Sequence, residues 1–417
     1  MGISRRKMLQ GAAAAAGVSA IGAPGLLLAQ NQPLKIGVAY ALSGPGQVNG
    51  DILLKGTQLA AAAYNRAGGL LGRQIELVVR DDKFTGAGSV AAARELSGLG
   101  INLMIGGSQT VTALALLPLL QEMKMLLQIP AAAGMAITHE AFSKNAFRTA
   151  SNVYVLYGGL GKAMAERFPN VMKWQAIVPD SAFGRDAGRL WGTFLKQNHA
   201  KRNDKAFEVR DMMLVGATQN DFRPQINTLM NSGVEGIFFA AVGSPELTFF
   251  QQARSVGLDK KLKCISEAGG DAVAKSLGKD MPASFWGPVF WPYWVEPYKS
   301  MKQGQQLYKD WVAMTKDPFP PSLINYAYKG AQSLFEGIKK AKSTETEAVI
   351  KAMEGLTWDS TEGPMRIRKE DHQGLGRIHI ANFVSSPKEP FFDVKSVQSV
   401  VEEGVVESPS PGAEYVM

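Results

Sequence analysis

Short apolar runs alternate with longer amphipathic stretches along the chain, and this alternation occurs twice. A strand, a helix and a second parallel strand form the repeating unit of a doubly wound α/β sheet. The first series predicts strands at 34–41, 75–80, 101–105 and 125–129, with helices at 51–67, 86–98 and 110–123. The first part of the chain is therefore predicted to form a parallel-sheet lobe.

The second series begins after a connecting stretch at 145–155. It predicts strands at 174–180, 207–213, 236–241 and 261–266, with helices at 184–198, 221–232, 245–256 and 270–278. Residues 285–299 are rich in Trp and Pro and predict an irregular connector, followed by a helix at 322–341 and a hairpin at 362–384. Because these late elements must pack against one of the two units, we expect an α/β fold of two doubly wound parallel-sheet lobes, each discontinuous in sequence.

The composition is that of an ordinary globular protein, with 46% hydrophobic and 20% charged residues among 417. A net charge of +8 is small for this length, and no dense cluster of Lys and Arg with interleaved aromatic residues is present. Nucleic acid is therefore not expected among the partners. The one cysteine, Cys264, cannot form an internal disulfide and is predicted to be a buried, small apolar residue.

The first thirty residues have the pattern of an export signal. Two adjacent arginines stand in the sequence SRRKMLQ at 4–10, and the weakly apolar segment 11–28 follows directly. This order predicts a twin-arginine signal at 1–30, cleaved near Ala29, and a mature protein in the periplasm. The alternative is an N-terminal membrane anchor, which the Gly and Pro content of the segment disfavours.

Three loops of small residues follow strands of the first predicted lobe. They occupy 41–50, 105–113 and 129–138 and read ALSGPGQVNG, IGGSQTVTA and IPAAAGMAIT. In a doubly wound sheet, ligands bind beyond the carboxyl ends of the strands, at the point where the strand order reverses. For the order 2-1-3-4-5 these three loops converge, so they are predicted to form one wall of a ligand cleft.

The second of these loops suits an anion. Gly106 and Gly107 let the backbone approach a ligand closely, and the polar residues Ser108, Gln109 and Thr110 stand where a helix begins. Hydroxyls and free backbone N–H groups at such a position can hold a carboxylate. The alternative is plain helix capping by Ser108, and the convergence of the three loops favours the ligand site.

The sequence carries no signature of catalysis or of metal binding. The four histidines have no metal-like spacing, and there is neither a nucleophile elbow nor a phosphate-binding loop. The run Gly44-x-Gly46-x-x-x-Gly50 has one residue more than a dinucleotide fingerprint. No catalytic residue, metal or cofactor is therefore predicted, and the chain is not expected to be an enzyme.

The segment 36–97 resembles the opening of the type I periplasmic solute-binding proteins. Within that group it is similar to the Leu/Ile/Val-binding branch, which serves ATP-binding-cassette (ABC) importers, and SGP followed by AGGLLGRQIELVVRDD is the most specific part. The similarity continues through FRTAS at 147–151, VPDSAFGRD at 178–186, FFQQARSVGL at 249–258 and EGPMRIRKED at 362–371. The resemblance thus extends over essentially the whole mature chain.

This resemblance implies two lobes that close on a ligand like a hinge, joined by crossing segments near residue 151, near 286–291 and near 371–376. Lobe 1 would comprise 31–151 plus 290–372, and lobe 2 would comprise 152–289 plus 373–417. The expected function is capture of a small carboxylate-bearing solute, either an amino acid or an aromatic or other organic acid. The expected partners are that solute and an ABC permease, with the receptor working as a monomer.

The resemblance also assigns roles to individual residues. The loop at Ser108, Gln109 and Thr110 would hold the ligand's carboxylate, and the next loop would contribute Ala131, Ala132 and Ala133, where Ala133 replaces the family's threonine. Phe183 would cover the ligand, Glu267 would take an ammonium group, and Ser244 is a further candidate. The loop at 129–138, called the alanine loop below, favours a bulkier ligand without an amine. Glu267 favours an amino acid, and both ligand classes remain open. Independently of the resemblance, one of the connector residues Trp286, Trp291, Tyr293 and Trp294 is a further candidate to cover the ligand.

Two other functions are compatible with parts of the sequence. A ligand-sensing subunit of a membrane signalling receptor would have the same cleft and a different partner. A nucleotide-using α/β enzyme is disfavoured because no phosphate-binding motif is present. Co-purification with a permease or a kinase would separate the first alternative from an importer, and a nucleotide-binding assay would test the second.

Overall fold

The computed structural model describes residues 32–241 and 243–416. The predicted export signal at 1–30 lies outside these residues. Within the described part of the chain, no helix combines the length and the apolar character that a membrane span requires.

The first part of the chain forms a five-stranded parallel sheet. Its strands are β1 (Leu34–Tyr40), β2 (Ile75–Asp81), β3 (Leu103–Ile105), β4 (Leu126–Ile129) and β5 (Ala146–Arg148), linked by the helices α1 (Gln47–Arg66), α2 (Gly86–Gly98) and α3 (Thr110–Leu116). The strand order is β2-β1-β3-β4-β5. Strand β1 therefore pairs with both β2 and β3, and the order reverses there, which is the order under which the three small-residue loops were expected to converge.

The remaining elements follow in chain order. The strands are β6 (Lys173–Pro179), β7 (Glu208–Val209), β8 (Met213–Val215), β9 (Gly236–Phe239), β10 (Cys264–Glu267), β11 (Phe285–Pro288), β12 (Thr357–Ser360), β13 (Gly363–Ile367), β14 (Gly374–Leu375), β15 (Arg377–Ser385) and β16 (Phe392–Val401). The helices are α4 (Gly159–Arg167), α5 (Ala182–Asn198), α6 (Arg223–Ser232), α7 (Ser244–Ser255), α8 (Leu258–Lys261), α9 (Asp271–Leu277), α10 (Lys302–Thr315), α11 (Ile324–Ala341) and α12 (Thr346–Met353).

A second sheet has the order β16-β15-β11-β10-β9-β6-β7, with β8 also paired to β6. Its strands from β6 to β11 pair in parallel, whereas β15 runs antiparallel to β11 and β16. A small antiparallel sheet, β12-β13-β14, completes the architecture. These sheets confirm the predicted α/β class with two parallel-sheet lobes.

Burial explains why the strand sequences are so apolar. Ile36, Val38 and Tyr40 of β1 are fully buried, as expected for a strand covered by helices on both faces. On one of these faces α11 packs against α1. A Cβ atom at Gly56 of α1 would lie 2.3 Å from the carbonyl oxygen of Ile324, so glycine is needed for this approach.

Three sequence predictions differ from the structure. The predicted strand 207–213 is two short strands, β7 and β8, and the first part of the predicted irregular connector is strand β11. The predicted hairpin at 362–384 is wrong, because β13 pairs with β12 and β14 whereas β15 pairs with β11 and β16. Helices α4, α8, α10 and α12 and strands β5, β12 and β16 were not predicted.

The chain passes between the lobes three times, after β5, after β11 and between β14 and β15. These passages fall near the three crossing positions that the resemblance implied. They lie side by side: Arg148 forms a parallel bridge with Gln373, and the backbone N–H of Val289 donates to the carbonyl of His379 at 2.8 Å. The exact limits of the two lobes remain a prediction, because strand pairing assigns each strand to a lobe but does not assign the residues that link the strands.

Candidate functional site

A cleft between the two sheets brings together loops from both lobes. Seven of the nine residues predicted for the site line it, namely Ser108, Gln109, Thr110, Ala131, Ala132, Ala133 and Phe183. The other lining residues are Asn49, Leu53, Leu156, Tyr157, Ala268, Gly269, Phe290, Leu323 and Tyr326. None of these sixteen lining residues carries a charged side chain. The cleft can therefore hold an anion only through hydroxyl, amide and backbone groups.

The loop after β3 is tied to the loop after β4 by Thr110. The backbone N–H of Gly134 donates to Thr110 Oγ1 at 3.1 Å. A Cβ atom at Gly134 would lie 2.4 Å from Thr110 Cγ2, so the contact requires glycine. Thr110 thus positions the alanine loop, while the buried side chain of Ser108 contributes a hydroxyl to the cleft wall.

Arg148, at the end of β5, supports the alanine loop through hydrogen bonds to two of its residues. It is 1% exposed, and its Nη1 and Nη2 donate to the carbonyl of Gly134 at 2.6 Å and to Thr138 Oγ1 at 2.8 Å. Burial lowers the pKa of the guanidinium to about 10, so Arg148 is charged at neutral pH. Two hydrogen bonds from Arg148 therefore hold the loop in place, and no sequence pattern had marked this arginine.

Four aromatic residues also line the cleft, namely Tyr157, Phe183, Phe290 and Tyr326. The rings of Tyr157 and Phe183 meet edge to face, with centroids 5.9 Å apart, and those of Phe290 and Tyr326 lie 4.6 Å apart. The hydroxyl groups of Tyr326 and Ser151 are 3.1 Å apart. Of these four rings, only Phe183 was predicted. Phe290 lies in the aromatic connector at 285–299, but no sequence pattern marked this residue as part of the cleft.

Glu267 lies at the end of β10 and does not line the cleft, although its neighbours Ala268 and Gly269 do. Its buried carboxylate accepts hydrogen bonds from the backbone N–H groups of Gly269 and, at 2.9 Å, of Gly270. The predicted contact with a ligand ammonium group is therefore not direct in this conformation. The carboxylate instead organises its own loop.

A second buried carboxylate, Glu246 of α7, lies beside Glu267. A Cβ atom at Gly269 would lie 2.4 Å from Glu246 Oε2, so the glycine at the cleft wall gives this side chain its space. Burial raises the pKa of Glu267 to about 7, and burial together with the neighbouring Glu267 raises the pKa of Glu246 well above its usual range. Two adjacent carboxylates in an apolar interior cannot both ionise at low cost, so the pair retains a proton near neutral pH.

Ser244, the other predicted residue that does not line the cleft, begins α7. The preceding Gly243 approaches lobe 1, and a Cβ atom there would lie 2.6 Å from the carbonyl oxygen of Pro45. A second contact between the lobes joins the backbone N–H of Met135 to Asp186 Oδ2 at 3.4 Å. The cleft between these contacts holds about 70 Å³, far below the roughly 300 Å³ at which ligand pockets begin. The lobes are thus nearly closed.

The glycine pattern of the first loop has a packing explanation. A Cβ atom at Gly46 would lie 2.2 Å from the Phe84 ring, and one at Gly50 would lie 1.8 Å from the carbonyl oxygen of Ala41. Glycine fits these positions because the start of α1 approaches both the Phe84 ring, after β2, and the end of β1 closely. The loop therefore needs no phosphate ligand to account for its composition.

Two α/β lobes around an uncharged cleft, joined by three crossing segments, define a two-lobed ligand-binding protein. The family model described as "Periplasmic binding protein" matches residues 33–387, and the chain belongs to this family. The family is periplasmic, and its members bind solutes and do not catalyse a reaction. The resemblance to the Leu/Ile/Val-binding branch is confirmed.

Individual relatives are distant but cover most of the chain. A "Leucine-, isoleucine-, valine-, threonine-, and alanine-binding protein" of Pseudomonas aeruginosa is 24% identical over 333 residues, covering 79% of this chain and 84% of its own. A "Leu/Ile/Val-binding protein homolog 4" of Brucella abortus is 22% identical over 384 residues, covering 89% and 88%.

Solved structures share the fold. A solute-binding protein of an ABC transporter from Rhodopseudomonas palustris BisB5, in complex with 3,4-dihydroxybenzoic acid, has a TM-score of 0.76 at 20% identity and covers 89% of this chain and 98% of its own. A branched-chain amino acid transporter substrate-binding protein from Streptococcus pneumoniae, in complex with isoleucine, has a TM-score of 0.74 at 17% identity and covers 89% and 100%. At these identities the likeness shows the fold alone.

Proposed function

We propose that the protein is the solute-binding receptor of an ABC importer and that it captures a small carboxylate with an aromatic or other apolar body. The observation that carries this proposal is the composition of the cleft wall. The hydroxyl-bearing residues Ser108 and Thr110 line the same cleft as four aromatic residues. Carboxylate binding through hydroxyls and stacking of an apolar body on rings are the two kinds of contact that this wall offers.

The acid pair behind the cleft favours a ligand without an amine. An ammonium group gains most from an ionised carboxylate that faces it, whereas Glu267 is turned toward the backbone of its own loop and shares its surroundings with Glu246. Relatives of the same fold include proteins in complex with 3,4-dihydroxybenzoic acid and with isoleucine, so both ligand classes occur on this scaffold. The aromatic rings and the alanine loop together support the aromatic acid.

Hinge closure is the proposed mechanism. Because the lobes are nearly closed and the cleft holds only about 70 Å³, they must separate before a ligand can enter. The contact between Met135 and Asp186 would break in that step. We propose that the closed, liganded form is the one that an ABC permease recognises, and that the receptor acts as a monomer. Export to the periplasm through the twin-arginine route is part of the same proposal.

Titration calorimetry of the mature protein tests the ligand class. We expect saturable binding of 4-hydroxybenzoate or benzoate, and no binding of leucine or isoleucine at the same concentrations. Ser108→Ala should weaken binding about tenfold, since it removes one hydrogen bond to a charged group. Ser89→Ala, which changes a buried serine of α2 outside the cleft, is the matched control and should not alter affinity. Binding of amino acids alone would assign the ammonium role to Glu267 and refute the preference for an amine-free acid.

A further inference from the structure

A second pocket of about 480 Å³ lies where the chain leaves the second crossing and enters α10. It is lined by Tyr293, Trp294, Tyr298, Lys299, Gly304, Gln305, Tyr308 and Lys309. None of these residues lines the interlobe cleft. Its volume is within the range of small-molecule sites, which is roughly 300–1,000 Å³.

Aromatic rings form the walls of this pocket in a fixed arrangement. The ring of Tyr293 lies 4.7 Å from Trp294 in a perpendicular orientation and 5.5 Å from Tyr308. The hydroxyl of Tyr308 donates to the carbonyl of Pro318 at 3.1 Å, which fixes the position of its ring. Perpendicular and tilted rings of this kind offer both faces and edges to a planar ligand.

The charge at the pocket is positive. Lys299 and Lys309 are exposed, and no acidic residue is among the eight that line the pocket. Asp310, the residue after Lys309, pairs with Arg66 on lobe 1. The two ammonium groups are thus available to an anion that rests on the rings.

The pocket lies where the two lobes are connected. Tyr293 packs against the hydrophobic core of lobe 1, whereas its neighbour Trp294 packs against a core of lobe 2. Tyr298 meets His379 of β15 edge to face, with ring centroids 4.9 Å apart. A molecule in the pocket would therefore contact side chains that are anchored in both lobes.

We propose that this pocket is a second small-molecule site, separate from the cleft, and that it takes an aromatic anion. The rings bind the planar body, and Lys299 and Lys309 bind the anionic group. The size of the pocket favours a small molecule over a protein partner, since stable protein interfaces bury about 800 Å² on each side.

The probe for this site is 8-anilinonaphthalene-1-sulfonate, an aromatic anion whose fluorescence rises in apolar surroundings. We expect saturable binding to the folded, mature protein, with an affinity about fivefold weaker in the variant Lys299→Gln/Lys309→Gln. The matched control Lys340→Gln/Lys351→Gln removes two exposed lysines of lobe 1 that lie outside the pocket and should retain the original affinity. The uncharged analogue N-phenyl-1-naphthylamine should bind both variants equally.

Three results would overturn the proposal. The first is the absence of saturable binding to the original protein, and the second is equal weakening in both double variants. The third is a probe affinity that survives both Lys299→Gln/Lys309→Gln and the ring variant Tyr308→Leu, because the probe would then bind elsewhere. Circular dichroism and thermal unfolding of each variant show whether the fold is intact. The interlobe cleft can fail its calorimetric test without changing any of these outcomes.

Discussion

Arg148 and Gln373, which are 225 residues apart in the chain, are joined by a hydrogen bond of 2.7 Å between Nε and Oε1. The same guanidinium holds the carbonyl of Gly134 in the alanine loop. One buried side chain thus links two crossing segments of the hinge to a wall of the ligand cleft. The shape of the cleft therefore depends on Arg148, which is not itself among the residues that line it.

Arg148→Lys tests this link. Lysine keeps the charge but cannot reach Gln373, Gly134 and Thr138 at once, because its three donors sit on a single nitrogen. We expect ligand affinity to fall at least tenfold and the free energy of unfolding to fall by about 2 kcal/mol. Calorimetry and urea unfolding measure the two effects. The control Arg66→Lys changes an exposed arginine and should leave both unchanged; a normal affinity in Arg148→Lys would show that the alanine loop needs no such support.

Gly134→Ala tests the contact between the two cleft loops. The new methyl group would overlap Thr110 Cγ2, so the loops must separate. We expect a stability loss of about 1–3 kcal/mol and a clear loss of ligand affinity. Gly98→Ala is the matched control, because it adds a Cβ atom at the end of α2 where no atom lies within 4 Å. Equal behaviour of the two variants in thermal unfolding and calorimetry would refute the assigned role of Thr110.

The sequence was sufficient for the lobes and for one wall of the cleft. The period and length of the apolar runs identified most strands. The strand order then places the small-residue loops at Ser108–Thr110 and Ala131–Ala133 together at the cleft. These features are local, so a single sequence shows them. The resemblance added Phe183, which does line the cleft.

The missing parts depend on contacts between distant segments. Glu267 could be named from sequence, but its partner Glu246 comes from a different helix, and no local pattern shows that the two meet. Tyr326 reaches the cleft from α11, which follows a crossing segment. The hairpin prediction failed for the same reason: strand-forming residues before and after 374 join different sheets, and alternation of apolar residues does not specify a pairing partner.

The buried acid pair predicts a stability that falls as pH rises. The unfolded carboxyl groups release their protons near pH 4.5, whereas burial raises the pKa of Glu267 in the folded protein to about 7 and holds the pKa of Glu246 well above its usual range. Between these values the folded state binds more protons than the unfolded state, so raising the pH destabilises it, by on the order of a few kcal/mol. Urea unfolding at pH 5 and at pH 8 measures this decline.

Glu246→Gln should reduce that decline, because an amide beside Glu267 removes one proton-binding group and the repulsion between two carboxylates. We expect the variant to gain about 1–2 kcal/mol over the original protein at pH 8 and much less at pH 5. Glu122→Gln, at an exposed position, should keep the original slope. A slope that is identical in Glu246→Gln and the original protein would mean that the pair does not titrate in this range.

A buried charge network provides the last prediction. Lys329 of α11 forms an ion pair with Glu362, and Glu362 Oε1 lies 3.0 Å from Nε2 of His379 in β15. Lys329→Met would leave Glu362 buried without its ammonium partner, so we expect a loss of about 3–5 kcal/mol. Lys339→Met breaks an exposed pair with Glu336 and should cost less than about 1 kcal/mol.

The double variant Lys329→Met/Glu362→Gln separates the loss of an attraction from the presence of an unpaired charge. Removing both charges leaves no buried carboxylate to desolvate, so at least half of the stability lost in Lys329→Met should return. Urea unfolding of the two single variants and the double variant gives the coupling energy directly. If the double variant is as unstable as Lys329→Met, then the stabilisation comes from packing of the lysine stem against its neighbours, and the ion pair itself contributes little.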